Sequence, residues 1–137
     1  MTTSWLVFPN NGWFSEKEIR GLFGEYDLHP VLELRRAMKR RYPGLKEKAN
    51  TKGKYLGYSR PPRGDRVYFQ FQTQCVNIDL AVPRSEAGKL AKVGVITKRR
   101  ESWQAQAKWL TGAKVPYGCS RTQLRVVTRL VLEAFTK

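Results

Sequence analysis

Two neighbouring stretches alternate with period two. Val67, Phe69, Phe71 and Thr73 fall on one side of residues 67–74, and Tyr68, Gln70, Gln72 and Gln74 on the other. In the next run Val76, Ile78, Leu80 and Val82 share a side, opposite Asn77, Asp79 and Ala81. Successive side chains of a strand point to opposite faces, so each run predicts a strand with one buried face. Tyr55–Arg60 predicts a third strand, joined to the second through the turn signal Pro61-Pro62-Arg63-Gly64-Asp65. Short connections make this an antiparallel meander. Val93–Thr97 is a candidate fourth strand, Ser4–Phe8 a short one, and Ala113–Cys119 an extended segment whose Pro116 marks an edge.

The helical signals lie outside that region. Ser15 and Glu18 form a capping box ahead of Ile19, Leu22 and Phe23, predicting a helix to about Tyr26. His29-Pro30 opens a second helix that Pro43-Gly44 ends. Val31, Leu34, Met38 and Tyr42 form its apolar stripe, and Arg36, Lys39 and Arg40 fall on its other side. Ser120 caps a last helix with a broad apolar arc of Leu124, Val127, Leu130, Val131, Ala134 and Phe135. Arg121, Arg125 and Arg129 run beside that arc. Between these elements, Lys46–Lys54 predicts a mobile surface loop, and Pro83 and Gly88 bracket another loop or a helical turn. Ser102–Leu110 alternates like a strand at Trp103, Ala105, Ala107 and Trp109, but its Ala, Gln and Lys content and the following Gly112 tilt the expectation to helix. The fold class predicted is α+β in a single domain spanning 1–137. It has N-terminal helices, a meander of about three to five strands and a C-terminal helix packed on the sheet.

Charge changes this picture. The chain of 137 residues carries a net charge of +15. Residues 35–66 hold twelve lysines and arginines against Glu47 and Asp65, whereas residues 1–34 carry five acids and two bases. Such a surplus repels itself unless an anion lies nearby, and a phosphate backbone is the first candidate. An acidic front and a basic remainder predict one face turned to the anion and another turned away. The expected phosphate contacts are Arg36, Lys39, Arg40, Arg41, Lys46, Lys48, Lys52 and Lys54, extended by Arg60, Arg63 and Arg66, with Tyr58 and Tyr68 as base-stacking rings. Arg121, Arg125 and Arg129 serve equally well as an anion ridge or a solvated helix face. Tyr68, Gln70, Gln72, Gln74, Asn77 and Asp79 form an amide face suited to base edges or to plain solvent.

Other chemistries find less in the sequence. Cys75, Cys119 and His29 do not supply the four ligands of a zinc site. Asp65 and Asp79 stand about a strand apart, as in divalent-metal nucleases, but Ala81 occupies the place of the needed lysine. No apolar stretch reaches spanning length, and the Trp5–Phe8 run is too short for a signal peptide, so a cytoplasmic protein without membrane attachment is expected. No cofactor, metal or catalytic residue is predicted. The expectation is a non-catalytic DNA- or RNA-binding protein. The alternatives are a module whose basic face docks an acidic protein partner, as an inhibitor would, and a metal-dependent nuclease.

The stretch from about Tyr55 to Phe135 resembles a small bacterial domain family of unknown function, often labelled "predicted transport protein" and sometimes joined to restriction-type nucleases. The resemblance lies in Tyr55-Leu56-Gly57-Tyr58, the runs Val67–Gln72 and Val76–Val82, and the ending Ser120, Leu124, Val127, Leu130 and Ala134-Phe135. It implies a curved antiparallel sheet closed by a C-terminal helix, in a defence or mobile-element setting. The chain departs from that pattern across Val93–Gly112 and in its basic N-terminal half, and no catalytic residue carries over.

Overall fold

The computed structural model describes residues 6–62, 65–83, 90, 92, 94–98 and 109–136. Three helices among them, α1 (Glu16–Phe23), α2 (His29–Arg41) and α3 (Arg121–Ala134), accompany one antiparallel sheet. Its strands are β1 (Leu6–Val7), β2 (Lys46–Asn50), β3 (Tyr55–Ser59), β4 (Asp65–Phe71), β5 (Cys75–Pro83), β6 (Ile96–Lys98) and β7 (Trp109–Pro116), in the order β1-β2-β3-β4-β5-β7-β6. The class is α+β as expected. The sheet is larger than the three to five strands predicted: seven, of which β1 has two residues and the other six have three or more.

Alternation sets the faces. Leu56 and Tyr58 of β3, Val67, Phe69 and Phe71 of β4, Val76, Ile78 and Leu80 of β5, and Ala113 and Val115 of β7 are all buried on one side. α3 packs against β4, β5 and β7 there, and α2 lies beside α3. Phe23 at the end of α1 stacks on Phe71, with ring centroids 4.6 Å apart. The other face of the sheet carries Lys46, Lys48, Tyr55, Tyr68, Gln70, Asn77, Asp79 and Lys114, none of them fully buried.

The helices start where the sequence says. Ser15 and Glu18 exchange both capping-box bonds, and Ser120 and Gln123 do the same for α3. Pro30 stands in the first turn of α2, where its missing N–H costs nothing.

Four expectations change. Lys46–Lys54 is not a mobile loop: Lys46–Asn50 is β2, paired with β3 from Lys46↔Ser59 to Asn50↔Tyr55. Its inward positions are Glu47 and Ala49, both buried. A glutamate facing the core broke the apolar alternation that reveals a strand. Thr73 does not continue the apolar side of β4, because the strand ends at Phe71 and residues 72–74 turn toward β5 with Thr73 exposed. Ala113–Cys119 is an edge only in part: Ala113 and Lys114 pair with β6 as well as β5, while Pro116 pairs with Cys75 and has no β6 partner among the described residues. In the segment expected to be helical, Trp109 and Leu110 begin β7, while 102–108 lie outside the described residues. Among the described residues no helix is long and apolar enough to cross a membrane.

Candidate nucleic-acid interface

α2 and α3 run side by side in the same direction. Their N-terminal turns meet in a recess lined by His29, Glu33, Cys119, Ser120, Arg121 and Leu124. At the far end the rings of Tyr42 and Phe135 touch, with centroids 5.7 Å apart. Between the ends lies an open groove of about 250 Å³, lined by Glu33, Arg36, Ala37 and Arg40 from α2 and by Arg121, Leu124, Arg125 and Thr128 from α3. The spacing explains the convergence. Arg36 and Arg40 are four residues apart on one helix, Arg121 and Arg125 four apart on the other, so each pair forms a row one turn long. The apolar stripes beneath these rows hold the helices together and leave four guanidinium groups lining one surface.

The basic surface continues past the C-terminal ends. The Arg41 guanidinium lies 4.8 Å from the Tyr42 ring centre, and that of Arg60 lies 4.9 Å from it. Arg60 also donates to the carbonyl of Phe135, at the end of α3. Tyr42 therefore contacts both cations and links the groove to the end of β3. Lys39 is exposed on α2 nearby.

Part of the predicted phosphate surface is already engaged. Arg36 donates to both carboxylate oxygens of Glu16 at 2.8 Å and to Glu33 at 2.7 Å. The bond to Glu16 raises the Arg36 pKa above its ordinary value, and the same bond lowers that of the Glu16 carboxyl. Lys54 pairs with Glu25 at 3.1 Å. The acidic front of the chain is thus not turned away from the cations. Two of its carboxylates, Glu16 and Glu25, reach across to them, and Glu33 lies inside the groove itself. Among the described residues, no carboxylate pairs with Lys39, Arg40, Arg41, Lys46, Lys52, Arg121 or Arg125.

The expected stacking rings divide. Tyr58 is wholly buried and donates to Glu47, so it is no stacking platform. The sequence placed it beside exposed tyrosines, but its position in β3 alternates inward with Leu56. Burial, then the neighbouring Glu47 carboxylate, raises its pKa well above the usual phenol range. Tyr68 is on the open face, edge-to-face with Tyr55 at 5.4 Å and 84°. The Lys48 ammonium lies 5.6 Å from the Tyr68 ring centre. Of the amide face, Tyr68, Gln70, Asn77 and Asp79 stand on the open side, while Gln72 and Gln74 belong to the turn before β5. The carbonyl of Gln72 accepts from the Tyr117 hydroxyl at 2.5 Å. Lys52 is exposed in the β2–β3 turn. Arg63 lies outside the described residues, and of Arg66 the structure describes the β4 backbone alone.

One cation of the basic run serves the core. Arg35 binds Glu47 in two-point fashion, at 2.7 Å from Nε and 2.8 Å from Nη2, and donates to the Phe14 carbonyl at 2.7 Å. The Phe14 N–H returns a bond to Glu47 at 2.8 Å. This network joins the segment before α1 to α2, β2 and β3. It also explains why Arg35 points away from Arg36: position 35 shares the buried side of α2 with Val31, Leu34 and Met38.

No group of three or more His, Cys, Asp and Glu side chains able to hold a metal ion occurs among the described residues. The groove's arginines have the chemistry to bind an anion. Planar guanidinium forks match phosphate oxygens two at a time and keep their charge at every accessible pH. Comparison of the chain with protein-family models, with curated proteins and with solved structures found no match.

Proposed function

We propose that the chain is a non-catalytic nucleic-acid-binding protein whose phosphate-binding surface is the α2–α3 groove and its extension through Arg41 and Arg60. One observation carries the reading. Four arginines from helices far apart in the sequence line a single open groove, and among the described residues only Arg36 of the four is tied to carboxylates. At ~1.5 Å per residue, the groove side from Glu33 to Arg40 is ~11 Å long. A nucleic-acid strand presents a phosphate about every 3.4 Å along a duplex axis, so the groove follows about three of them. Lys39, Arg41 and Arg60 supplement the four groove arginines. The defence or mobile-element setting implied by the family resemblance is part of this proposal.

The test is a titration of DNA and RNA oligonucleotides at several salt concentrations, with the wild type and an Arg40→Glu/Arg125→Glu variant. Affinity falls steeply with salt in the wild type. The variant binds at least tenfold more weakly and loses about two units of the log–log salt slope, one for each phosphate contact removed. Salt-insensitive binding, or no effect of the double reversal, overturns the assignment. Salt-dependent capture of an acidic protein with no affinity for either nucleic acid moves the reading to the protein-docking alternative.

A further inference from the structure

The open face of the sheet holds a second feature that the arginine groove does not use. Tyr55, Tyr68, Gln70, Asn77 and Asp79 line a recess of about 250 Å³. These residues come from three adjacent strands in register: Tyr55↔Gln70, Gln70↔Asn77 and Tyr68↔Asp79. Backbone pairing therefore fixes their positions, and no loop has to close to form the recess.

Gly57 shapes its aromatic wall. A Cβ at this position would lie 2.9 Å from Cε1 of Tyr68 and 3.0 Å from Cε of Lys48. The missing side chain lets the tyrosine ring rest over the strand backbone beside the lysine stem. Tyr55 stands at 84° to that ring and completes a corner. The Tyr55 hydroxyl is held by the Asn50 side-chain N–H at 3.2 Å, which fixes the upright ring.

The opposite wall is polar. Gln70 donates and accepts, and Asp79 as a carboxylate only accepts. Asn77 lines the recess, and its amide oxygen, sealed from solvent and without a hydrogen-bond donor among the described residues, lies toward Gly112 of β7. A buried acceptor left unmet costs on the order of 1–3 kcal/mol. The terminal torsion of an asparagine is soft, so turning the amide toward the recess presents that oxygen to an incoming N–H.

An aromatic corner facing hydrogen-bond acceptors suits a flat ring bearing N–H donors. Its size is below the ~300–1,000 Å³ of a drug-sized site, which limits it to a single small ring system. We propose that this recess is a subsite for one unpaired, amino-bearing nucleobase, stacked against Tyr68 with its donors toward Asn77 and Asp79. The inference rests on the nucleic-acid-binding reading. It adds that the preferred ligand is single-stranded, because a paired base cannot leave its stack to enter a corner on a flat sheet without the cost of flipping.

A route connects the two surfaces. Arg60, which bonds the end of α3, follows Ser59 directly, and Ser59 is the register partner of Lys46. Lys46 and Lys48 then lie on the open face, and Lys48 sits beside Tyr68. A backbone leaving the helical groove at Arg60 meets cations until it reaches the recess.

The test uses an oligodeoxycytidine of about 16 nucleotides, at the upper end of the site sizes of single-strand binders, and a hairpin duplex of matched length. Four proteins are compared: wild type, Tyr68→Leu, Tyr68→Phe and Arg40→Glu/Arg125→Glu. Tyr68→Leu is expected to weaken single-strand binding about tenfold and leave duplex binding unchanged, while Tyr68→Phe, which keeps the ring, retains wild-type affinity. Arg40→Glu/Arg125→Glu weakens both ligands. Unchanged single-strand affinity in Tyr68→Leu, with loss in the arginine variant, overturns the subsite and leaves the phosphate groove standing. Loss in Tyr68→Leu with none in the arginine variant does the reverse. Equal loss of both ligands in Tyr68→Leu also overturns the subsite. If Tyr68→Leu does not fold, Gln70→Leu at the exposed rim takes its place, with the same expected and overturning outcomes.

Discussion

At the scale of single residues, the decisive group is Glu47. In the sequence it is one acid among twelve bases and reads as a surface counter-charge. In the fold its side chain is fully enclosed and receives Arg35, the Phe14 N–H and the Tyr58 hydroxyl. Nothing in the local pattern announces this, because the residues that satisfy it come from three separate elements. Removing one partner of such a pair strands the other charge in the interior. Glu47→Ala is therefore expected to cost ~3–5 kcal/mol of folding stability, measured by urea unfolding. Alkali tests the same network. Burial first, then the Glu47 carboxylate, raises the Tyr58 pKa, and burial pushes Tyr117 up to about 12. A free tyrosine ionises near 10. Below that pH both states keep the phenol protons, and stability is unaffected by these groups. Above it the unfolded chain gives up protons that the folded chain retains, so stability falls as pH rises. The urea midpoint should drop between about pH 9 and about pH 11, and drop less in Tyr58→Phe relative to its own value at the lower pH.

At the scale of elements, strong periodic signals located their structures well. The capping boxes at Ser15 and Ser120 mark helix starts because they satisfy N–H groups that every helix leaves open. The inward sets Val67-Phe69-Phe71 and Val76-Ile78-Leu80 fixed the faces of β4 and β5, because one-sided burial permits a single register. β2 stayed hidden because its inward set includes a charge. The insertion of β7 between β5 and β6 was also illegible, since strand order is a long-range property that no local run encodes. For the candidate site, the sequence found the cations of α2 but not the partner they share a groove with. The four-residue spacing of Arg121 and Arg125 was the available signal, and it fits a solvated face equally well until α3 is placed beside α2. Gly57 shows what a single position does to an element. Gly57→Ala puts a methyl group within 3.0 Å of the Tyr68 ring and forces it off the strand. The expected result is a loss of stability of ~1–3 kcal/mol in thermal or urea unfolding, of the size seen when a packed site is overfilled.

For the molecule as a whole, the cations among the described residues lie on two surfaces rather than one. Arginines gather on the helical side, and lysines border the tyrosine corner on the other. Composition predicts that a surplus exists and cannot say that the sheet lies between its two parts. Nor does it say that Glu16 and Glu25 of the acidic front pair with Arg36 and Lys54. The two ends of the arginine groove also differ. Lys39, Arg40 and Arg41 occupy the last turn of α2, where positive side chains favour the helix in its own right. Arg121 occupies the first turn of α3, which has no acid and where the backbone already presents partial positive charge. Arg121→Glu should accordingly make the protein more stable, by ~0.3–1 kcal/mol in thermal unfolding, and, under the proposed function, weaken oligonucleotide binding in a titration. An arginine placed where its helix would prefer a glutamate costs local stability, so the proposed anion surface and the stability of α3 pull in opposite directions at this one position.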